Sequence, residues 1–381
     1  MTELFEIKDE NEKVVLVGVA VEDYDDTVHA LDELEELART AGAITVGKII
    51  QNRAVIHPRT YVGKGKIKEV QELVEETQAN GIICDDELSP AQLRNLQEEL
   101  DIKVIDRTTL ILDIFANRAS TKEGKIQVEL AQLKYRATRL VGLRKSLSRL
   151  GGGIGTRGPG EMKLEVDRRV INDRISVLNK ELESVKNSRE TLRRRRSKNM
   201  IPVIAIVGYT NAGKSTLLNH LTNAGVLEED KLFATLDPTT RKLELESGQE
   251  ILFTDTVGFI RKLPHNLVEA FRSTLEEAKY ADIILHVVDS SNSDVYKQMH
   301  IVYETLSELG IQDKTIITAF NKQDLYEKEE MLKDLKADHT IKISAKTGEN
   351  VDELLNIIEN VLQEDKILLE KLFSYKDAGK I

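Results

Sequence analysis

Val203-Ile-Ala-Ile-Val-Gly208-Tyr-Thr-Asn-Ala-Gly-Lys-Ser215-Thr-Leu-Leu218 is the stretch whose reading sets the fold. Val203–Val207 is an apolar, β-branched run of the kind found in a buried strand, and Thr216–Leu221 continues with helical spacing. The residues between them match the pattern G-x-x-x-x-G-K-[ST] in the strand–loop–helix setting that the pattern requires. Gly208 and Gly213 let the loop backbone through Tyr209, Thr210, Asn211 and Ala212 encircle α- and β-phosphates, and the following helix adds its favourable dipole. Lys214 then reaches the β- and γ-phosphates, while the Ser215 hydroxyl ligates Mg²⁺.

Working outward, the strand Ile251–Phe253 leads to Asp255, Thr256, Val257 and Gly258. An Asp after a strand is more often a turn or helix cap, but its distance from the phosphate loop and the glycine that follows favour a metal-site role. Gly258 can offer its N–H to a γ-phosphate. After the strand Thr315–Phe320 comes Asn321-Lys322-Gln323-Asp324. A carboxylate at Asp324 accepts from both N1–H and the 2-amine of guanine; adenine lacks those donors and leaves the carboxylate unpaired. Asn321 is expected to bond the base edge and the Lys322 stem to cover its face. Ser344-Ala345-Lys346, after the strand Thr340–Ile343, places a backbone N–H against the guanine O6. Four motifs in this order describe a guanine-nucleotide domain. Many such domains carry a Gln directly after Asp-x-x-Gly to orient the attacking water. Here the residue is Phe259, so unassisted hydrolysis is expected to be slow and a partner to complete the site. Arg261, His265 and Arg272 are nearby polar candidates, although His265 reads more simply as a loop or cap residue.

The rest of the chain bounds the setting. Its 381 residues are too many for one compact domain, and 40% hydrophobic against 31% charged residues supports folded cores. Aromatics at 4% with no Trp argue against stacking platforms for single-stranded nucleic acid. Cys84 is the only cysteine, which excludes an internal disulfide and suits a reducing compartment. No apolar run approaches the ~18 residues of a spanning helix, and the acidic start (Glu3, Glu6, Asp9, Glu10) is unlike a secretory signal. A soluble cytoplasmic protein is expected.

The net charge of −11 hides an asymmetry: residues 1–117 carry 12 Lys+Arg against 25 Asp+Glu, 118–198 carry 22 against 9, and 199–381 carry 20 against 31. A basic island attracts a polyanion only if it is presented as a patch; otherwise it is a solvated helix surface. Residues 1–117 alternate strand-like and helix-like patterns: Val14–Ala20, 27–41, Ala43–Ile50, 64–79, Gly81–Cys84, Pro90–Leu100 and Lys103–Ile105. That order argues for a parallel sheet covered by helices. Gly63-Lys64-Gly65-Lys66 fits no phosphate fingerprint and reads as a turn.

In the basic island, Ile126, Leu130, Leu133, Ala137 and Leu140 repeat at steps of four and three, as do Ile171, Ile175, Leu178, Leu182 and Val185. Two such stripes predict an antiparallel helical hairpin. Its joining loop, Gly151–Gly160, holds six glycines in ten residues, more than a simple turn needs, with Arg157 and Lys163 as nearby charge. The expected fold class is α/β: an N-terminal parallel-sheet region (1–117), a basic helical hairpin (118–198) with a Gly-rich tip (151–160), a P-loop GTP-binding domain (201–363) with a mixed, mostly parallel sheet, and a short C-terminal segment (364–381).

These motifs resemble those of translational-type P-loop GTPases and, more narrowly, of the HflX family. The narrower resemblance rests on Gly208–Thr216, Phe233-Ala-Thr-Leu-Asp237, Asp255-Thr-Val-Gly-Phe-Ile-Arg-Lys-Leu-Pro264 and the Gly158-Pro-Gly-Glu161 stretch. It covers all but about the last twenty residues. Spacing does not choose among Thr235, Thr239 and Thr240 for the switch threonine; the resemblance picks Thr235 as the second protein ligand of Mg²⁺, with Phe233, Ala234, Leu236 and Asp237 also at the GTP/GDP site. It implies binding to the 50S ribosomal subunit and splitting of 70S ribosomes, particularly under stress. The hairpin tip would enter near the peptidyl-transferase region, with Gly153, Gly155, Arg157, Gly158 and Lys163 as rRNA contacts. Hydrolysis, stimulated by the ribosome, would release the factor. A large-subunit assembly GTPase without splitting activity and a GTP-gated protein-interaction module stand as alternatives. A monomer without a membrane span is expected, in the cytoplasm, with peripheral membrane association allowed.

Overall fold

The computed structural model describes residues 12–21, 23–150, 159–198, 201–222, 232–233, 236, 239–263, 277–311, 313–326 and 332–363, with backbone alone for 141–150, 159–164, 186 and 188–198. The chain divides into two compact units, Met1–Glu183 with Lys262–Ala270, and Ser184–Arg261 with Phe271–Ile381. Both are built on largely parallel sheets, as the alternating patterns predict.

In the first unit, β1 (Lys13–Ala20), β2 (Ile44–Asn52), β3 (Gly81–Cys84) and β4 (Lys103–Asp106) form an all-parallel sheet in the order β2-β1-β3-β4. The β1 run Val14–Ala20 is buried throughout, which accounts for its unbroken apolar sequence. Helix α1 (Tyr24–Thr40) turns Ala30, Leu31, Leu34, Leu37 and Ala38 inward, and Asp23 caps its first turn. Helix α2 (Lys64–Thr77) begins at the glycine–lysine turn, and α3 (Pro90–Leu100) opens with a Ser89/Gln92 capping box and Pro90 in its first turn.

Helix α4 (Arg107–Arg118) was not foreseen from the sequence. Its Thr108-Thr-Leu-Ile-Leu-Asp-Ile-Phe115 run is β-branched and apolar on nearly every side because Leu110, Ile111, Leu112, Ile114 and Phe115 are all buried. Helix α5 (Lys122–Leu150) and helix α6 (Pro159–Lys198) follow. Ile126, Leu130 and Leu178 are buried in one cluster, flanked by Leu133, Ile175 and Leu182, so the predicted stripes do meet. Arg174 clasps Glu129 across that seam through two hydrogen bonds of 2.7 and 3.0 Å.

A buried charge cluster ties these helices to the sheet. Asp106, fully buried, accepts from Thr109 N (2.9 Å) as the α4 cap, from Leu88 N (3.0 Å), and from the Tyr135 hydroxyl and Arg139 of α5. Arg107, also buried, is paired with Asp85 (2.7 Å) and Glu33. Lys262 bridges Asp85 and Asp86 on the solvent side of the same group.

In the second unit, β5 (Val203–Gly208) lies at the centre of a six-stranded sheet with β6 (Thr239–Glu244), β7 (Glu250–Asp255), β8 (Ile283–Asp289), β9 (Thr315–Asn321) and β10 (His339–Lys342). The order is β10-β9-β8-β5-β7-β6, parallel except for the antiparallel edge strand β6. Helices α7 (Lys214–Thr222), α8 (Val295–Glu308) and α9 (351–363) accompany the sheet. Leu217, Leu218, Leu354 and Ile358 join Ile204, Ile206, Phe253 and Leu285 in one core. Burial of each such Leu or Ile contributes about 1.5–3 kcal/mol. The core leaves the loops after β5, β7, β9 and β10 at the carboxyl edge of the sheet, where ligands bind in open parallel sheets.

Asp106→Ala removes a helix cap and the shared acceptor of Leu88 N, Tyr135 and Arg139. It is expected to cost about 2–4 kcal/mol, read as a lower urea midpoint with unchanged denaturant slope.

Candidate functional site

The phosphate-loop, Asp255–Gly258, Asn321–Asp324 and Ser344–Lys346 motifs fall at the ends of the strands where the sequence places them. The phosphate loop spans the end of β5 and the first turn of α7, and its shape depends on missing side chains. A Cβ on Gly213 (φ +92°) would stand 2.2 Å from Asn321 Nδ2, and one on Gly208 would stand 2.2 Å from the Val287 carbonyl oxygen of β8. The loop therefore packs against neighbouring backbone and amide at distances that only glycine permits.

Lys214 is buried, and its Nζ donates to the Tyr209 carbonyl at 2.7 Å. Burial pushes its amine down to about 8; Asp255 opposes that shift and Lys322 adds to it. Ser215 donates its hydroxyl to Asp255 Oδ2 at 2.9 Å, and the Asp255 residue is fully buried at the end of β7. One hydroxyl and one carboxylate side by side are hard oxygen donors of the sort Mg²⁺ takes alongside phosphate oxygens. Thr256 fixes the next turn by donating to Ile206 O at 2.8 Å.

Of the three candidates for the switch threonine, Thr239 and Thr240 fall among the described residues. Thr239 and Thr240 are not in a loop: they open β6, paired with Asp255 and Thr254, and the Thr240 and Thr254 hydroxyls lie 3.0 Å apart. Strand pairing occupies them. Thr235, Ala234 and Asp237 lie outside the described residues, whereas Phe233 and Leu236 are buried. Gly258 packs so closely that an added Cβ would come 2.9 Å from Thr210 Cα and 3.0 Å from Lys214 Nζ. Phe259 is buried, and its hydrocarbon ring carries no group that could orient a water. Arg261 directs a guanidinium N–H to Asp294 at 3.1 Å. His265 and Arg272 lie outside the described residues, as do Gly153, Gly155, Arg157 and Gly158; Lys163 falls in α6, where only backbone is described.

The base-recognition loops show a role that the sequence reading missed. Asn321 is buried; its Nδ2 donates to Ala212 O at 2.8 Å and its Oδ1 accepts from Ala345 N at 2.9 Å. It thus staples the phosphate loop to the Ser344–Lys346 loop. Ser344 donates to Asp324 Oδ1 at 2.7 Å, which fixes the carboxylate, and Lys322, in a left-handed conformation (φ +62°), reaches Asp289 at 2.8 Å. Asp289 was not singled out; its position at the last residue of the His286-Val-Val-Asp289 strand was the available signal. Gln323 donates to Ser290 Oγ at 2.8 Å.

A glycine-shaped phosphate loop, a buried lysine, a hydroxyl–carboxylate pair and a carboxylate braced for a base edge define a P-loop GTPase. Three family models match in sequence: GTP-binding GTPase N-terminal over 28–116, GTP-binding GTPase Middle Region over 118–196, and 50S ribosome-binding GTPase over 203–322. The protein named GTPase HflX from Lacrimispora saccharolytica is 66% identical over 381 residues, covering 100% of this chain and 90% of that protein. GTPase HflX from Escherichia coli is 43% identical over 358 residues, 93% of this chain and 84% of that one. A solved structure of SsGBP with GDP is 27% identical with a TM-score of 0.50, covering 92% of this chain and 99% of that chain. The chain belongs to the HflX family of GTPases, and it binds and hydrolyses GTP. Among the described residues, no helix is long and apolar enough to cross a membrane.

Nucleotide phosphates favour the charged amine of Lys214, so binding takes up a proton once the pH exceeds about 8. GDP affinity is expected to fall about tenfold between pH 7 and pH 9, with most of the loss above pH 8. Calorimetric titration across that range checks it; a flat profile means that Lys214 is already charged in the empty site.

Proposed function

We propose that this GTPase binds the large (50S) ribosomal subunit, separates 70S ribosomes into subunits under stress, and leaves when GTP is hydrolysed. The observation that carries the reading is the 22-against-9 excess of basic residues over 118–198, borne on two long helices joined by a glycine-rich link. At ~1.5 Å per residue, α6 alone extends about 60 Å, enough to reach deep into an RNA assembly. The description of the family model over 203–322, a 50S ribosome-binding GTPase, supports the same partner. In this reading 1–117 is an α/β subdomain, 118–198 the RNA-facing hairpin with Gly153, Gly155, Arg157, Gly158 and Lys163 at its contact, 201–363 the GTP-binding domain and 364–381 a short end segment.

Within the nucleotide site, Ser215 and Thr235 would hold Mg²⁺, which neutralises phosphate charge when bound, with Asp255 orienting the Ser215 hydroxyl. Asp324 takes the guanine N1–H and 2-amine, the Lys322 stem covers the base, and Lys346 supplies the N–H to O6 because Ala345 N–H is held by Asn321. The protein acts as a cytoplasmic monomer. With Phe259 unable to orient water, the ribosome completes the site.

One observation favours a second reading, a GTP-gated protein-interaction module: Val166, Val170 and Val177 of α6 are exposed. Salt separates the two. RNA contacts weaken steeply as counterions compete, whereas an apolar helix contact does not.

Steady-state GTP turnover with and without purified 50S subunits, at two salt concentrations, tests the proposal. A large, salt-sensitive stimulation, lost on Arg157→Ala with Lys163→Ala while GTP affinity holds, is the expected result; no stimulation removes the ribosome from the reading. Separation of 70S particles on a sucrose gradient distinguishes splitting from a subunit-assembly role. Asp324→Asn is expected to weaken GTP binding by 100-fold or more and to improve binding of xanthosine triphosphate, whose 2-carbonyl accepts from the new amide. Retained GTP preference would remove Asp324 from base recognition.

A further inference from the structure

The residue after Asp-x-x-Gly contributes its backbone, not its ring, to the site. Phe259 N donates to Gly208 O at 3.1 Å, and Phe259 O accepts from Thr210 N at 2.7 Å, so the two segments pair as a one-residue parallel bridge around Tyr209. A bridge of this length is held by little more than those two hydrogen bonds. A third extends it: the Tyr209 hydroxyl accepts from Arg261 N at 2.9 Å. The Tyr209 ring is buried, so the hydroxyl is delivered from a fixed position. The same residue's carbonyl accepts from Lys214 Nζ at 2.7 Å.

Tyr209 therefore holds the phosphate-binding lysine through its backbone and the segment after Gly258 through its side chain. Between these two attachments sits Gly258, where an added Cβ would lie 3.0 Å from Lys214 Nζ. The register of the bridge decides whether Gly258 or a bulky neighbour faces the lysine.

We propose that Tyr209 is a positioning residue for GTP hydrolysis: its hydroxyl locks residues 258–261 in register on the phosphate loop, so that the Gly258 peptide is presented where the γ-phosphate is cleaved. This rests on the assignment of the site as a GTP hydrolase. Tyr209 touches no reacting atom; it acts through Gly258 and Lys214. GDP, which has no γ-phosphate, does not use the Gly258 peptide, and this separates positioning from general integrity of the loop.

Tyr209→Phe keeps the buried ring and removes one acceptor. Under saturating GTP and Mg²⁺, kcat is expected to fall about five- to tenfold, with GDP affinity within about twofold of the unaltered protein and a melting temperature lower by only about 2–5 °C. Tyr209→Ala, which also opens the packing, is expected to lose both turnover and melting temperature. The proposal is overturned if Tyr209→Phe matches the unaltered protein in kcat. It is equally overturned if its GDP affinity falls in step with kcat, which would place the effect in the phosphate loop itself. An unaltered protein with no GTP turnover fails the hydrolase assignment, and the proposal with it.

Discussion

The carboxamide of Asn321 occupies the space that a side chain on Gly213 would take, and the nucleotide site depends on that exchange. Through Ala212 O and Ala345 N the amide joins three loops that are far apart in sequence. The sheet order makes the reach necessary. Strand β9, which ends in Asn321, is separated from β5 by β8, and strands stand ~4.8 Å apart, so the amide must pass over the end of β8 to meet the phosphate loop. Gly208 closes against the Val287 carbonyl of that intervening strand. The phosphate loop and the loops proposed to read the base are thus tied together before any nucleotide arrives, which lowers the conformational entropy left to be lost on binding.

Electrostatics complete the preparation. Lys214 is a buried cation near a buried carboxylate, Asp255, whose own hydrogen bond comes from Ser215. Burial alone disfavours the charged amine, and the carboxylate offsets only part of that penalty. A site in this condition gains from a polyanion twice: the phosphates satisfy the lysine and restore its full charge. The second anchor is more conventional. Asp289 pairs with the Lys322 ammonium at 2.8 Å, which in the proposed reading leaves the aliphatic stem of the lysine to cover the base.

Legibility in the sequence follows how local each determinant is. The four nucleotide motifs are short loops whose geometry is dictated by the residues within them, and the apolar run of β5 is unbroken because both faces of the strand are covered; these were readable. Strand β6 was not, because Thr239–Glu244 is an edge strand of mostly polar residues whose conformation comes from pairing with β7. Helix α4 was missed for the opposite reason: burial on nearly all sides erases the periodicity that marks a helix. Asn321 was assigned to the base alone because sequence spacing carries no information about what lies beside Gly213 in space. The charge cluster of Asp106 and Arg107 was invisible for the same reason, since its partners Leu88, Glu33 and Tyr135 are brought together only by the tertiary fold.

Phe259 shows how one substitution redistributes a catalytic task. A glutamine at this position would orient water with its side chain while its backbone paired with the phosphate loop. Phe259 keeps the pairing, through Gly208 O and Thr210 N, and buries its ring. What remains within the described residues is charge stabilisation: a lysine, loop N–H groups and the helix end, all of which act on phosphate oxygens and none on the nucleophile. Stabilising the phosphates without orienting water favours binding of the triphosphate over its cleavage. In the proposed reading the bound state then lasts until a partner supplies the missing orientation, which is the behaviour required of a switch rather than of a metabolic hydrolase.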